Sequence, residues 1–496
     1  MTSTAAPTAP AVPRTVRLAE QLRARIGAEK VLTDPAQLRT YECDGLATYR
    51  VRPAIVVLAG RREDVAETVR CCAAAGVPFV ARGSGTGLSG GAMPVAEGVL
   101  IVLSRLRQIV AVDPDNSRVV VEPGVINLWI TREAAPHGQA YAPDPSSQQV
   151  CSIGGNVAEN AGGAHCLKYG FTVNHVMGAE VVLPDGSVVH LGGTAPEHPG
   201  FDLLGAFVGS EGTLGIATEV TVRTIQVPES VQTMLVGYRS VEDAAATVSD
   251  IIAAGILPAA IEMMDALAIQ AAEAAVKCDY PAGAVAVLVI ELDGPGVEVD
   301  EQFRQVEEIA HRRHAFETRI AQDPAERALM WKGRKSAFAA VGRISPAYIV
   351  QDGVIPRTQL PRVLDEIGNL ANAASMRVAN VFHAGDGNLH PLILFDDAVP
   401  GAADAAEELG FAILDLCIAA GGSITGEHGV GVEKKSKMAD QFTPADLETM
   451  QLVRCAFDPD GIANPGKVFP TPRLCGERPG VRTAADSYSP TMGEVF

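Results

Sequence analysis

The chain has 496 residues, 47% of them hydrophobic, with a formal net charge of −19. That length exceeds what one hydrophobic core usually organises, so two main domains are expected. The acidic balance excludes a nucleic-acid backbone as partner, since that binding runs on clustered Lys and Arg, and any anionic substrate must meet a local positive site.

Nine cysteines (43, 71, 72, 151, 166, 278, 417, 455 and 475) include no CxxC pair. They fit neither a disulfide framework nor an iron–sulfur ligand set, and a reducing cytosol is the simplest compartment. The start, MTSTAAPTAPAVPRT, lacks the basic and apolar parts of a signal peptide, and nothing later offers ~18 uninterrupted apolar residues. The most hydrophobic stretch, 251–264, holds Pro258 and Glu262.

Residues 1–14 are Ala/Thr/Pro-rich and expected to be disordered. Leu18, Leu22 and Ile26 then recur at helical spacing. From about Pro53 to Ile225, short valine-rich strands (PAIVVLA, VPFVA, GVLIVLS, RVVVEPG, GAEVVLPDGSVVHL, TEVTVRTI) alternate with glycine-rich loops, and Asp185-Gly186 marks a hairpin turn. After Pro228 come longer helical segments (240–254, 297–314, 357–373, 402–419, 443–456) between strands such as TMLVGYR, AVAVLVIEL, YIVQD and VANVF. The pattern predicts an α+β protein with a first domain over 15–228, a second over 229–456, a C-terminal segment 457–470 and a polar tail 471–496.

Three loops of the first domain carry the ligand signal. Arg82-Gly-Ser-Gly-Thr-Gly-Leu-Ser-Gly-Gly91 places five glycines in ten residues after VPFVA, and bare backbone N–H groups there can close around a pyrophosphate with Arg82 as a nearby cation. Gly85 to Gly90 formally matches GxGxxG. No helix-forming run follows and no ribose-binding acid stands near 104–106, so a Rossmann site fails its context test, and a P-loop fails for want of GK[ST]. Tyr141-Ala-Pro-Asp-Pro-Ser-Ser147 with Ser152 to Gly163, and Gly209-Ser-Glu-Gly-Thr-Leu-Gly215, add the second and third loops. Taken together they imply an extended ligand with a diphosphate and a large polar ring, as in a dinucleotide.

The second domain concentrates different chemistry within residues 383–429: His383-Ala-Gly-Asp-Gly-Asn-Leu-His390, then Gly426-Glu-His-Gly429. On a continuous strand a seven-residue gap would put the two imidazoles on opposite faces. The Gly-Asp-Gly-Asn between them predicts a tight turn that aims both at one point, where Glu427 can add an oxygen to a divalent metal site. His428, beside that acid, has the pKa range of a base near neutral pH. Hydrogen-bonding histidines in a turn and a helix-entry glutamate are the plainer alternative, and Arg334 and Lys335 by themselves read as the exposed face of a helix.

The three loops, with Pro123-Gly124-Val125, resemble the FAD-binding domain of the vanillyl-alcohol oxidase/p-cresol methylhydroxylase (PCMH) flavoprotein family. His383 to His390, Gly426 to Gly431 and Phe457-Asp-Pro-Asp-Gly-Ile-Ala-Asn-Pro-Gly-Lys467 resemble the C-terminal half of its 2-hydroxyacid dehydrogenase branch. The likeness runs from about 15 to 470. It implies a two-part PCMH-type FAD-binding domain, completed by 457–470, and an α+β cap (substrate) domain with an antiparallel sheet. FAD contacts are implied for Arg82, Gly83, Ser84, Gly85, Thr86, Gly87, Pro143, Asp144, Ser146, Gly154, Gly155, Asn156, Asn160, Gly162, Gly163, Glu211, Gly212, Ile216 and Asn464. The flavin is expected to be noncovalent, because Ser84, Gly85 and Thr86 stand where some relatives carry a histidine that binds FAD covalently.

The resemblance further implies a divalent metal, zinc or similar, on His383, His390 and Glu427, His428 as the base, and Arg334 as a clamp for the substrate carboxylate. Where the D-2-hydroxyglutarate branch has a lysine, a threonine and a polar group, this protein has Gln351, Phe338 and Leu392. A smaller, less cationic pocket follows, favouring glycolate or D-lactate. The alternative is a D-lactate or D-2-hydroxyglutarate dehydrogenase that acts as a single polypeptide. Partner subunits are implied as well: a second flavin-domain subunit and an iron–sulfur subunit, which would bring a cytoplasmic protein to the inner membrane. Two other classes stay open at this level, a flavin-binding subunit without catalysis and a metal hydrolase that makes no use of the glycine loops.

Overall fold

A computed structural model of the protein describes residues 13–195, 199–470 and 475. Of the stretch expected to be disordered, 1–12 lies outside the described residues, whereas Arg14 already opens the helix Arg14–Ile26, with Leu18, Leu22 and Ile26 on its buried face. That helix packs on Arg62–Ala75 beside a four-stranded sheet ordered Val31–Leu32, Ile55–Leu58, Val99–Val102, Phe79–Arg82. The last three strands are parallel. Their near-continuous Val/Ile/Leu runs feed a core on each face: Ile55, Val57, Val99 and Ile101 on one, and Val56, Val80, Leu100 and Val102 on the other.

A second, antiparallel sheet follows in the order Ile109–Asp113, Arg118–Val121, Ile216–Arg223, Val176–Val182, Val188–Gly192. Its last two strands form the hairpin expected at Asp185-Gly186, with Gly186 at φ 82°. A position in that region suits glycine because other residues meet their own backbone there.

The second half is built on a large antiparallel sheet whose central order is Glu317–Ile320, Ser230–Tyr238, Ala286–Gly294, Ala260–Asp265, Arg377–His383. Alternation along Ala286–Gly294 is strict: Ala286, Leu288 and Ile290 enter one core, Val287 and Val289 the other. The first core is covered by Val241–Ala253, Gly296–Arg312, Leu360–Ala373 and Ala402–Ala419. The second is covered by Ala266–Val276, outside the expected set, and by Pro324–Val341, of which only the Arg334-Lys335 stretch reads as helix in the sequence. Their starts are written in local chemistry, since Asp265 accepts from Ala268 N and Asp323 from Ala325 N and Glu326 N. The hydrophobic stretch 251–264 divides into a helix end and the strand Ala260–Asp265. No helix among the described residues is long and apolar enough to cross a membrane.

After the helix Pro444–Phe457 the polypeptide returns to the first sheet, where Ala463 bridges Phe79 in parallel and Asp458 accepts from the backbone N–H of Ile462 and Ala463. The cysteine expectation needs correction: Cys455 and Cys475 form a disulfide. The partners are 20 residues apart in sequence, and Cys475 Sγ lies 3.5 Å from Asp458 O. The other seven cysteines are free, and apart from Cys475 the tail 471–496 lies outside the described residues.

Candidate active site

A cavity of about 940 Å³ opens between the two halves, near the upper end of the range for ligand pockets. One wall is Gly83, Ser84, Gly85, Thr86 and Gly87 from the first loop, Ser146, Gly154, Gly155 and Asn156 from the second, and Glu211, Gly212 and Ile216 from the third region. Lys335, Phe338 and Tyr348 face them, and Glu427 and His428 line the same space. Close packing excludes side chains from these loops: a Cβ on Gly83 would stand 2.1 Å from Ser152 Oγ, and one on Gly154 2.6 Å from Pro123 Cβ. Ser210, not singled out from the sequence, lends the cavity a buried hydroxyl oxygen without a hydrogen-bond partner. The volume, the bare loops and that orphaned oxygen fit FAD.

Seven of the nineteen residues expected at the cofactor do not line the cavity; they brace its walls. Arg82 is turned away, its guanidinium donating to the carbonyls of Ala92 (2.7 Å) and Tyr41 (3.1 Å), so it ties down the first loop. Pro143 O accepts from Asn127 Nδ2 at 3.1 Å, and Asp144 pairs with His165 at 2.9 Å. Asn160, at φ 52°, ends the helix Ile153–Glu159 and holds Val173 N. Gly163 leaves room for the Asp144 backbone, and Gly162 for Glu427, whose Oε2 would lie 2.6 Å from an added Cβ. Asn464 donates to Gly91 O and Glu211 O, joining the C-terminal segment to two loops.

The metal-type cluster assembles through a hairpin. His383 ends the strand Arg377–His383, Gly387 turns the backbone at φ 75°, and Asn388 pairs back onto His383. The imidazoles of His383 and His390 come to 5.2 Å between centroids. Glu427 Oε1 lies 3.2 Å from His383 Nε2 and 3.4 Å from His390 Nε2, and one atom from each of the three residues falls within 4.8 Å of the others. His390 is buried, yet neither of its ring nitrogens has a hydrogen-bond partner. Two imidazoles and a carboxylate with unspent donor capacity fit a divalent cation.

Asp352, His390 and His428 form a second such group, with Asp352 Oδ1 3.3 Å from His390 Nε2, but the other oxygen of Asp352 is already spent. Asp352 Oδ2 accepts from the backbone N–H of Gly426 (3.0 Å) and His428 (2.9 Å) and from Thr425 Oγ1 (2.6 Å), with Lys434 Nζ at 3.3 Å. A lysine there repels a cation. Asp352 therefore pins the Thr425–His428 turn, and it was missed in the sequence because it closes a strand-like run, YIVQD, with no motif of its own.

Glu262 was missed too, although an acid inside the apolar run Ala260–Asp265 is a readable signal of a buried polar contact. It accepts from His383 Nδ1 at 2.7 Å and lies 2.7 Å from Arg334 Nη2. Arg334 is not the exposed helix residue its neighbourhood suggests: it is 2% exposed, with Nη2 in the ion pair to Glu262 and Nε lacking a hydrogen-bond partner. Removing one partner from such a buried pair costs about 3–5 kcal/mol. Of the three residues expected to shrink the pocket, Phe338 lines the cavity. Gln351 and Leu392 do not; the first donates to Glu433 and the second sits in the core.

The charges follow from burial and neighbours. Burial alone would lower His383, but Glu262 and Glu427 hold it well above the usual range. Burial would raise Glu427, and the three histidines instead bring it to about 2. His428 is pushed down to about 4, chiefly by burial, with His390 adding to the shift and Asp352 opposing it. It is therefore neutral near pH 7, as a base must be.

Residues 53–192 match the family described as FAD binding domain, and 227–468 that described as FAD linked oxidases, C-terminal domain. The chain is 51% identical to the glycolate oxidase subunit GlcD of Escherichia coli (strain K12), over 92% of this chain and 91% of that protein. It is 37% identical to GlcD of Bacillus subtilis (91% and 96% covered) and 33% identical to a D-lactate dehydrogenase of Anaerostipes hadrus (89% and 95%). Among solved structures it shares its fold with p-cresol methylhydroxylase, at a TM-score of 0.77 and 16% identity over 92% of this chain and 96% of that one. A 4-ethylphenol oxidase from Gulosibacter chungangensis gives 0.77 at 18%, over 92% and 97%. With a PCMH-type flavin domain joined to an antiparallel α+β domain and a cavity between them, the chain belongs to the FAD-linked oxidase family and is an FAD-dependent oxidoreductase.

Proposed function

We propose that the protein oxidises a small 2-hydroxy acid, glycolate to glyoxylate or D-lactate to pyruvate. The observation that carries this is that Glu427 and His428 line the cavity formed by the flavin-domain loops, so a metal-type ligand and a neutral base border the space for the cofactor. The names of the relatives, glycolate oxidase subunit and D-lactate dehydrogenase, support the substrate class.

Bound FAD supplies the acceptor for the two electrons of the alcohol-to-ketone oxidation, and a divalent cation on His383, His390 and Glu427 supplies positive charge near the hydroxyl. The protein's own residues bind and orient. Arg334 is buried behind the cavity wall, next to the lining residue Lys335, and its unpartnered Nε–H is the group that would anchor the carboxylate. His428 takes the hydroxyl proton, its turn fixed by Asp352. Phe338, with its ring 5.7 Å from that of His390, limits the length of the acid.

That GlcD is named as a subunit supports partner subunits for this protein: a second flavin-domain subunit and an iron–sulfur subunit, with attachment to the cytoplasmic side of the inner membrane through them. The test is anaerobic mixing of the FAD-loaded protein with glycolate, D-lactate, L-lactate and D-2-hydroxyglutarate, with and without a chelator. Bleaching of the flavin band by glycolate or D-lactate, lost with chelator, is expected; bleaching by D-2-hydroxyglutarate alone would refute the small-acid assignment.

A further inference from the structure

Glu262 is 1% exposed and lies directly opposite His383 in the antiparallel register of Ala260–Asp265 with Arg377–His383. Strand alternation turns it to the face that carries Ala260 and Met264, the face covered by Pro324–Val341. Its two oxygens go to different partners. Oε1 takes His383 Nδ1 at 2.7 Å, and Oε2 stands 2.7 Å from Arg334 Nη2. One carboxylate thus touches both the imidazole assigned to the metal and the guanidinium assigned to the substrate carboxylate.

Each contact fixes something the site needs. With Nδ1–H committed to Glu262, the nitrogen of His383 that faces Glu427 is Nε2, 3.2 Å away, and a cation that replaced the proton between them would meet the Nε2 lone pair in a ring already oriented for it. With Nη2 held against Oε2, the Arg334 fork has one orientation, and its charge is balanced before any ligand arrives. A guanidinium free to rotate would lose that aim when an anion bound.

We propose that Glu262 is a positioning residue that ties the metal ligand His383 to the carboxylate clamp Arg334, so that each site depends on the same side chain; this rests on the metal and clamp roles proposed above. An amide has one acceptor oxygen where a carboxylate has two. Glu262→Gln therefore serves one partner fully, and Glu262→Leu serves neither.

The experiment uses the FAD-loaded full-length protein. Zinc affinity is read by competition with a chromogenic chelator, and carboxylate binding by the shift of the flavin absorbance as acetate is titrated. Glu262→Leu is expected to weaken zinc binding about tenfold or more and to abolish the acetate response, while Glu262→Gln loses at least one of the two, both with wild-type FAD content. If Glu262→Leu does not fold, Glu262→Gln decides alone. Both properties kept in Glu262→Gln, either kept at wild-type strength in Glu262→Leu, or loss of FAD itself as the main effect, would overturn the proposal. Wild-type protein that takes up neither zinc nor acetate would instead overturn the roles on which it rests.

Discussion

The imidazoles of His390 and His428 lie face to face, their centroids 4.8 Å apart and their planes 4° from parallel. Burial in this stack holds His428 below its usual range, so it is neutral near pH 7. Replacing the base with His428→Ala should slow flavin reduction by roughly 10² or more with FAD still bound. Stopped-flow absorbance checks this, and near-normal reduction would remove His428 from the role.

Glu211 of the flavin half accepts from Val430 N at 2.6 Å and Gly431 N at 2.7 Å, holding the turn that carries Glu427 and His428 against the cofactor cavity. Glu211→Gln keeps one acceptor and loses the charge. A displaced base of this kind should slow flavin reduction by about 10- to 100-fold while substrate still perturbs the flavin spectrum. A rate equal to wild type would show that the turn is held from the Asp352 side alone.

Removing a metal from His383, His390 and Glu427 should stop substrate bleaching without releasing FAD, since the flavin loops lie on the other wall. Dialysis against chelator followed by zinc or manganese should restore it. Metal analysis of Glu427→Gln should show substoichiometric content; a full complement would place the ion elsewhere.

Ser84, Gly85 and Thr86 on the cavity wall offer no imidazole for a covalent bond to flavin. Acid or detergent denaturation should therefore release all the yellow colour into the filtrate, and colour that stays with the polypeptide would contradict noncovalent binding.

His165 joins the halves, standing 2.9 Å from Asp144 and 3.1 Å from Glu291. Burial would lower it, but the two acids raise it to about 10. Its folded value thus exceeds the unfolded value of about 6.5, so its stabilisation is complete below that pH and is lost as pH rises through about 10. The melting-temperature gap between wild type and His165→Gln should be several degrees at pH 6 and should narrow by pH 10. A constant gap would mean that His165 acts by packing alone.

The residues themselves determined the glycine loops, the hairpin of His383 and His390 and the acid–base pair Glu427-His428. In each the chemistry and the backbone turn are encoded within a few neighbouring positions. Pairings across the fold were decided by tertiary structure alone. Glu262 meets His383 across 121 residues and Glu211 meets Val430 across 219, and no local pattern carries a strand register or the docking of one half on the other. Burial reassigned others: Arg82 spends its guanidinium on carbonyls, Gln351 and Leu392 withdraw from the pocket, and Arg334 turns inward because a buried carboxylate waits for it. Which side chains reach a ligand is set by what else is packed within hydrogen-bond distance, and that is a property of the folded protein.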